Sequence, residues 1–209
     1  MATDRERDRL DALSRETHAV YQRQAEVYDR GRNRTLFERN WLERVTQDVS
    51  EGGRVLDLGC GAGAPIGEWL VAQGFEVTGA DFSDRMLSLF SGRLPQARAV
   101  QADMRQLKLN QRFEAIIGWG SFFHLKPDEQ RLAVPAIARH LAPGGRLLLT
   151  VGPDEGEVTG RVGSDTIYSA SLALVEYTTL LQAGGAEVED FVPNDPNCNG
   201  FSLLLARSQ

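Results

Sequence analysis

Between residues 54 and 151, short apolar runs alternate with stretches whose apolar residues recur at helical spacing, the pattern of βαβ units in a mostly parallel sheet. The runs predict strands at 54–58 (RVLDL), 75–80 (FEVTGA), 97–102 (ARAVQA), 113–118 (FEAIIG) and 146–151 (RLLLTV). Between the first two, Ile66, Trp69 and Leu70 share the face of a helix that starts around Pro65 and stops near Gly74. Ser83 is placed to cap a second helix carrying Met86, Leu87 and Phe90. A third, from about 128 to 140, turns Leu132, Ile137 and Leu141 inward and is kinked or shortened by Pro135. The tight turn LAPGG (141–145) ends it, and the Gly/Asp/Glu-rich stretch 152–165 reads as an irregular insertion bordering the site. Leu174, Tyr177, Leu180 and Leu181 mark a helix ending at Gly184 and Gly185, and strands at 186–192 and 201–207 bring the predicted total to seven. Residues 5–50 pattern as helices, with Val20, Tyr21, Val27 and Tyr28 in one stretch and Leu36, Phe37, Trp41, Leu42 and Val45 in the next.

The 209 residues contain no linker-like stretch, so the pattern reads as one domain: a helical part at 1–50, a core at 51–151 and a C-terminal part at 152–209. A 42% hydrophobic and 25% charged chain is ordinary for a globular protein, and no apolar run approaches a membrane span. The densely charged start, MATDRERDRL, is unlike an export signal and predicts a cytoplasmic location. Cys60 and Cys198 build neither a disulfide framework nor a metal site, so no metal is expected. A net charge of −6 opposes a long polyanionic partner. The basic cluster Arg30, Arg32, Arg34, Arg39 and Arg44 is interrupted by Asp29, Glu38 and Glu43 and reads as a solvated helix face. A small molecule is the expected partner rather than nucleic acid or membrane.

The candidate chemistry starts in VLDLGCGAG (55–63), where Asp57, Gly59, Gly61 and Gly63 alternate between a predicted strand and a predicted helix. Glycines let the chain turn sharply and approach a ligand, and a helix start offers free N–H groups to an anion. Gly59, Gly61 and Ala64 also satisfy a dinucleotide fingerprint, with Asp81 at a suitable distance for a ribose. Two features favour another ligand. Asp57 sets a carboxylate where it suits an ammonium and sits badly beside a pyrophosphate, and QADM (101–104) places Asp103 and the Met104 N–H at a purine edge. Phe82 and Met104 are suited to cover the purine faces, and Asp81 to accept from two vicinal ribose hydroxyls. All three acids fall at carboxyl ends of strands, where open α/β sheets bind ligands.

These motifs, with FEAIIGWGSFFHL (113–125) and LAPGGRLLLT (141–150), resemble the class I S-adenosylmethionine-dependent methyltransferases from about Tyr21 onward. The resemblance implies a doubly wound, Rossmann-like α/β fold with strand order 3-2-1-4-5-7-6, strand seven antiparallel, and an N-terminal helical lid. It also implies S-adenosylmethionine as cofactor, leaving as S-adenosylhomocysteine. Asp57, Gly59 and Gly61, with Cys60, would meet the methionine portion. Asp81, Phe82 and Met86 would meet ribose and adenine, Asp103 and Met104 the adenine, and Trp119 the cofactor beside the open substrate face. In the lid, Tyr21 and Arg34 are the candidates, with Arg34 pairing with the methionyl carboxylate. Glu114 and Gly120 depart from frequent family residues, and Gly120 leaves the substrate side undefined.

Methyl transfer from a sulfonium needs positioning first and a base only for some acceptors. His124, at the rim after strand four, is the candidate general base, able to titrate near neutral pH. Phe122 and Phe123 are candidates for an apolar acceptor wall. Three functions remain open on sequence: a small-molecule methyltransferase, an NAD(P)-dependent oxidoreductase, and a non-catalytic S-adenosylmethionine-binding protein. The acceptor atom and the oligomeric state have no signature.

Overall fold

The computed structural model describes residues 4–209. Its centre is a sheet of the strands β1 (Arg54–Leu58), β2 (Glu76–Asp81), β3 (Arg98–Gln101), β4 (Phe113–Gly118), β5 (Leu141–Val151), β8 (Ala186–Asp195) and β9 (Phe201–Ser208). The order is β3-β2-β1-β4-β5-β9-β8, with β9 antiparallel to both neighbours. This is the expected 3-2-1-4-5-7-6 order, with the last strand inserted beside strand five.

Alternation along each strand sends neighbouring side chains to opposite faces. Leu56, Ile116, Leu147 and Leu204 face α6 (Pro127–Ala138) and α7 (Leu174–Ala183). Val55, Ile117, Leu148 and Leu205 face α3 (Arg39–Thr46), α4 (Ile66–Ala72) and α5 (Asp84–Arg93). Ser83 caps α5 as expected, its hydroxyl accepting from the Met86 N–H. Gly79 admits Phe90 against β2, because a Cβ there would lie 2.4 Å from the Phe90 ring.

Four expectations are corrected. The stretch 152–165 is not irregular: β6 (Gly156–Val162) pairs antiparallel with β7 (Asp165–Ser171) around Gly163, so the described residues hold nine strands, seven of them in the main sheet. β6 is exposed along most of its length, and β7 is stabilised from outside by α1 (Asp4–Arg23), through Leu10 on Tyr168 and Ala170 and Val20 on Ile167. LAPGG belongs to β5, whose Leu141 pairs with Phe113 before an irregularity that includes Gly144 at φ 73. Leu132 is 67% exposed, since Ala133, Val134 and Ile137 form the inner face of α6, which runs three residues beyond Pro135. Phe122 is fully buried in the sheet core and does not line a ligand wall.

The chain between the sheet and the N-terminus forms α1, α2 (Ala25–Gly31) and α3. α1 lies across the carboxyl ends of the strands. Among the described residues no helix is long and apolar enough to cross a membrane.

The close seating of Phe90 on β2 has a measurable cost when filled. Gly79→Ala is expected to lower stability by about 1–3 kcal/mol in urea unfolding, and Phe90→Leu in the same chain to recover part of that loss. An unaltered midpoint in Gly79→Ala would contradict the packing described.

Candidate cofactor and acceptor site

β1 ends in a turn that is held by the end of β2. The Gly59 and Cys60 N–H groups both donate to the Ala80 carbonyl, at 2.7 and 3.1 Å, and the Gly61 N–H donates to Asp81 Oδ2 at 2.9 Å. The backbone at Gly59 and Gly61 is left-handed, with φ 74 and 51. A Cβ on Gly59 would also lie 2.2 Å from Ser121 Cβ, in the loop after β4 whose hydroxyl donates to Leu58 O. A Cβ on Gly61 would instead make only ordinary contacts, 3.9 Å from Tyr28 and 4.0 Å from Met86.

Asp81 accepts a second N–H, from Ser83, on its other oxygen at 2.9 Å. Burial raises its pKa, and the N–H groups of Ser83 and Gly61 oppose that rise. Each oxygen thus has one backbone donor and keeps acceptor capacity toward the cavity, the arrangement suited to two vicinal hydroxyls.

The cavity has a volume of about 740 Å³ and runs along the strand ends from Gly59 to Met104 under α1. Phe82, Met86, Asp103 and Met104 line it. Asp103 is held by Arg105, and although burial raises its pKa, the Arg105 guanidinium and N–H bring it below the usual carboxylate value. His18, unforeseen in the sequence, reaches down from α1 and meets Phe82 edge to face at 3.9 Å between ring centres.

A smaller lobe adjoins the cavity, with Tyr28, Gly59 and Gly61 common to both. Asp57, Cys60, Arg32 and Trp119 line it. Asp57 is 4% exposed, and no hydrogen bond to its carboxyl group is found among the described residues. Burial, then the charge of Asp81, pushes its pKa up to about 7, against the pull of Arg32. A buried acid without a donor is a site in want of a cation or a donor.

Arg34 does not reach either space: it is 41% exposed in its side chain and pairs with Asp29 at 2.9 Å. Two residues earlier, Arg32 lines the smaller lobe. The sequence pattern marked both arginines as one basic face, and only the fold of the 31–38 turn separates them. Tyr28, one of the apolar-face residues of the N-terminal pattern, packs on Tyr21 with ring centres 5.5 Å apart. Among the described residues no group of three or more His, Cys, Asp or Glu side chains is placed to hold a metal ion.

His124 sits in the short 3-10 turn Phe122–His124 and is partly buried. Its Nδ1 lies 2.7 Å from the Tyr168 carbonyl, which only accepts, so Nδ1 carries the proton. Nε2 then accepts from the Tyr21 hydroxyl at 2.8 Å. Burial pulls the imidazole pKa down to about 4, despite the Tyr168 carbonyl, so the expected titration near neutral pH is corrected. Both ring nitrogens are engaged within the protein. Phe123 packs on the His124 ring at 4.7 Å and does not line the cavity.

Comparison with known proteins follows the same lines. A family model described as a methyltransferase domain matches residues 55–145. The chain is 33% identical over 138 residues to the putative methyltransferase YqeM of Bacillus subtilis (strain 168), covering 63% of this chain and 55% of that protein. It is 32% identical over 128 residues to a dTDP-3-amino-3,4,6-trideoxy-alpha-D-glucopyranose N,N-dimethyltransferase of Streptomyces venezuelae, covering 58% and 54%. The chain thus spans about half the length of these curated relatives. Among solved structures, the SAM-bound amino pentose methyltransferase CalS10 of Micromonospora echinaspora superposes with a TM-score of 0.70 at 24% identity, over 89% of this chain and 96% of that one.

Asp57 makes stability depend on pH. Its folded pKa of about 7 exceeds the unfolded value of 3.8, so the folded state binds more protons between those limits and stability falls as pH rises through that window. Asp57→Asn is expected to melt higher than the parent at pH 8 and to narrow that gap at pH 5, with the full linkage bounded at about 4 kcal/mol. Parallel melting curves across that range would contradict the buried, donor-free carboxyl group.

Proposed function

We propose that the chain, which belongs to the class I S-adenosylmethionine-dependent methyltransferase family, transfers a methyl group from S-adenosylmethionine to an amine on a small molecule. The observation that carries the cofactor is the Asp57 carboxyl group, buried without a donor beside Arg32 and 4% exposed. An amino acid end supplies what both need: its ammonium goes to Asp57 and its carboxylate to Arg32. The pyrophosphate of a dinucleotide would meet Asp57 as a like charge. Asp81 would receive the ribose hydroxyls, and Asp103 with the Met104 N–H the adenine edge, between Phe82 and Met104. The cofactor supplies a methyl group already activated on a sulfonium, so that a lone pair held in line can displace it.

The acceptor follows from what His124 does not do. A hydroxyl needs a base to become a competent nucleophile, and a neutral imidazole with its pKa near 4 and Nε2 occupied by Tyr21 is a poor one. An amine loses its proton to water before binding and needs only orientation. The Streptomyces venezuelae relative is, by its name, an N,N-dimethyltransferase, which supports this choice. In this reading His124 and Tyr21 hold α1 over the cavity, and the open face at Gly120 admits the acceptor. The absence of a side chain on Gly120 leaves room there, since a Cβ would meet nothing within 4 Å.

Calorimetric titration is expected to show binding of S-adenosylmethionine and S-adenosylhomocysteine, with NAD and NADP far weaker; the reverse preference would sink the reading. Asp81→Asn, which keeps an acceptor for one backbone N–H, is expected to weaken S-adenosylhomocysteine by about 1–3 kcal/mol.

A panel of amino sugars, free and nucleotide-linked, with alcohols, thiols and carboxylic acids, should give S-adenosylhomocysteine release from amines. Release from alcohols alone would overturn the choice of acceptor. With an amine in hand, His124→Gln is expected to keep turnover within about tenfold of the parent and to lower the melting temperature. A loss beyond about a hundredfold, with an inflection near pH 6.5 in the parent alone, would restore His124 as a general base.

A further inference from the structure

Glu38 has no place in the site described so far. It stands at the start of α3 with its side chain fully buried, and Oε1 holds Nη2 of Arg32. Oε2 is buried with no hydrogen-bond partner. A buried carboxylate with half its acceptor capacity unused is a costly residue for a surface-proximal helix start.

The backbone that brings it there is also strained. Leu36, between Arg32 and Glu38, has φ 53, a left-handed conformation that a bulky side chain rarely takes. Packing holds it: Phe37 is stacked on Phe201 at 6.3 Å and set against Trp119 at 6.1 Å. The Arg32 guanidinium lies 5.7 Å over the same Phe37 ring. The strained turn, the aromatic floor and the buried carboxylate all converge on a single guanidinium at the wall of the lobe.

We propose that Glu38 is a positioning residue, which clamps Arg32 by one edge, with Nη1 also donating to the Asn33 carbonyl at 3.4 Å, so that the donors left over face the carboxylate of the cofactor's amino acid end. This rests on the cofactor reading above. An arginine on the surface samples many rotamers, and fixing it beforehand removes that cost from binding. Five donors in a planar fork allow one guanidinium to serve both carboxylates, whereas a lysine in this place would present a single point charge. Glu38 also neutralises Arg32, so the lobe suits a zwitterion more than a polyanion.

Two ligands separate this role from simple packing: S-adenosylhomocysteine, which has the amino acid end, and 5′-methylthioadenosine, which lacks it. Calorimetry on the parent chain comes first, and a parent that fails to bind S-adenosylhomocysteine defeats the cofactor reading before any variant is made. Given that binding, Glu38→Gln is expected to weaken S-adenosylhomocysteine about three- to tenfold and to leave 5′-methylthioadenosine within about twofold. An affinity for S-adenosylhomocysteine that is unchanged or improved, or an equal loss for both ligands, would overturn the role of Glu38. The double variant Arg32→Met with Glu38→Leu replaces a buried pair by apolar groups and is expected to fold. It should lose at least about tenfold for S-adenosylhomocysteine alone, and retention of parent affinity there would overturn the proposal as well.

Discussion

The turn after β1 closes on itself through a single bond, from the Gly63 N–H to the Cys60 carbonyl, and the end of β2 holds the rest of it. Three successive N–H groups, from Gly59 to Gly61, bond to Ala80 and Asp81, so two adjacent parallel strands make one cradle. Everything ligand-facing is referenced to that closure. It aims the spare lone pairs of Asp81 into the cavity, seats Ser121 against Gly59, and turns Asp57 toward the lobe. Ser83 links the same carboxylate to α5, whose Phe90 fills the space that Gly79 leaves. The cradle and the packing beneath it are therefore one cooperative unit, and a change in either is felt in both.

The roof is built on a different principle. α1 buries a modest apolar edge on the β6–β7 hairpin, through Leu10 and Val20, and is otherwise tied by polar contacts to separate parts of the chain. Tyr21 meets His124, Lys126 meets Asp11 at 2.6 Å, Arg23 meets Asp165 at 2.7 Å, and Ser83 donates to Gln22 at 2.6 Å. Exposed ion pairs of this kind contribute little each. A cover held by several weak ties over a well-packed cradle suits a site in which cofactor and acceptor both pass in and out. The hairpin serves the roof, since β7 supplies both the apolar contact for α1 and the carbonyl that fixes the tautomer of His124.

Charge is distributed with similar economy. The acids at the strand ends are each treated differently: Asp81 is stabilised by backbone donors, Asp103 by Arg105, and Asp57 by nothing within hydrogen-bond reach among the described residues. The last alone depends on a ligand for its first donor. In the same lobe, Arg32 already donates to Glu38 and to the Asn33 carbonyl. The basic face seen in the sequence is neutralised in the same manner elsewhere, with Arg34 on Asp29 and Arg44 on Asp190 at 2.8 Å.

By itself the sequence determined what depends on local order. Strand periodicity located β1 and β4 to the residue, Ser83 announced its cap, and the glycine alternation after Asp57 marked the turn and the acids around it, because spacing and backbone freedom are properties of contiguous residues. What it did not contain were partners distant along the chain. β6 is polar and glycine-diluted, β7 carries few apolar residues, and both hold their form against α1, some 150 residues earlier, so no local pattern revealed them. His124 reads as a titrating rim residue until Tyr21 and the Tyr168 carbonyl close on its two nitrogens. Arg32 and Arg34 are indistinguishable in composition, and the strained turn at Leu36 decides which faces the lobe. Glu38 reads as a surface charge and is the most deeply buried acid of the N-terminal segment, since desolvation and pairing are set by what the fold brings near and not by neighbours in the chain.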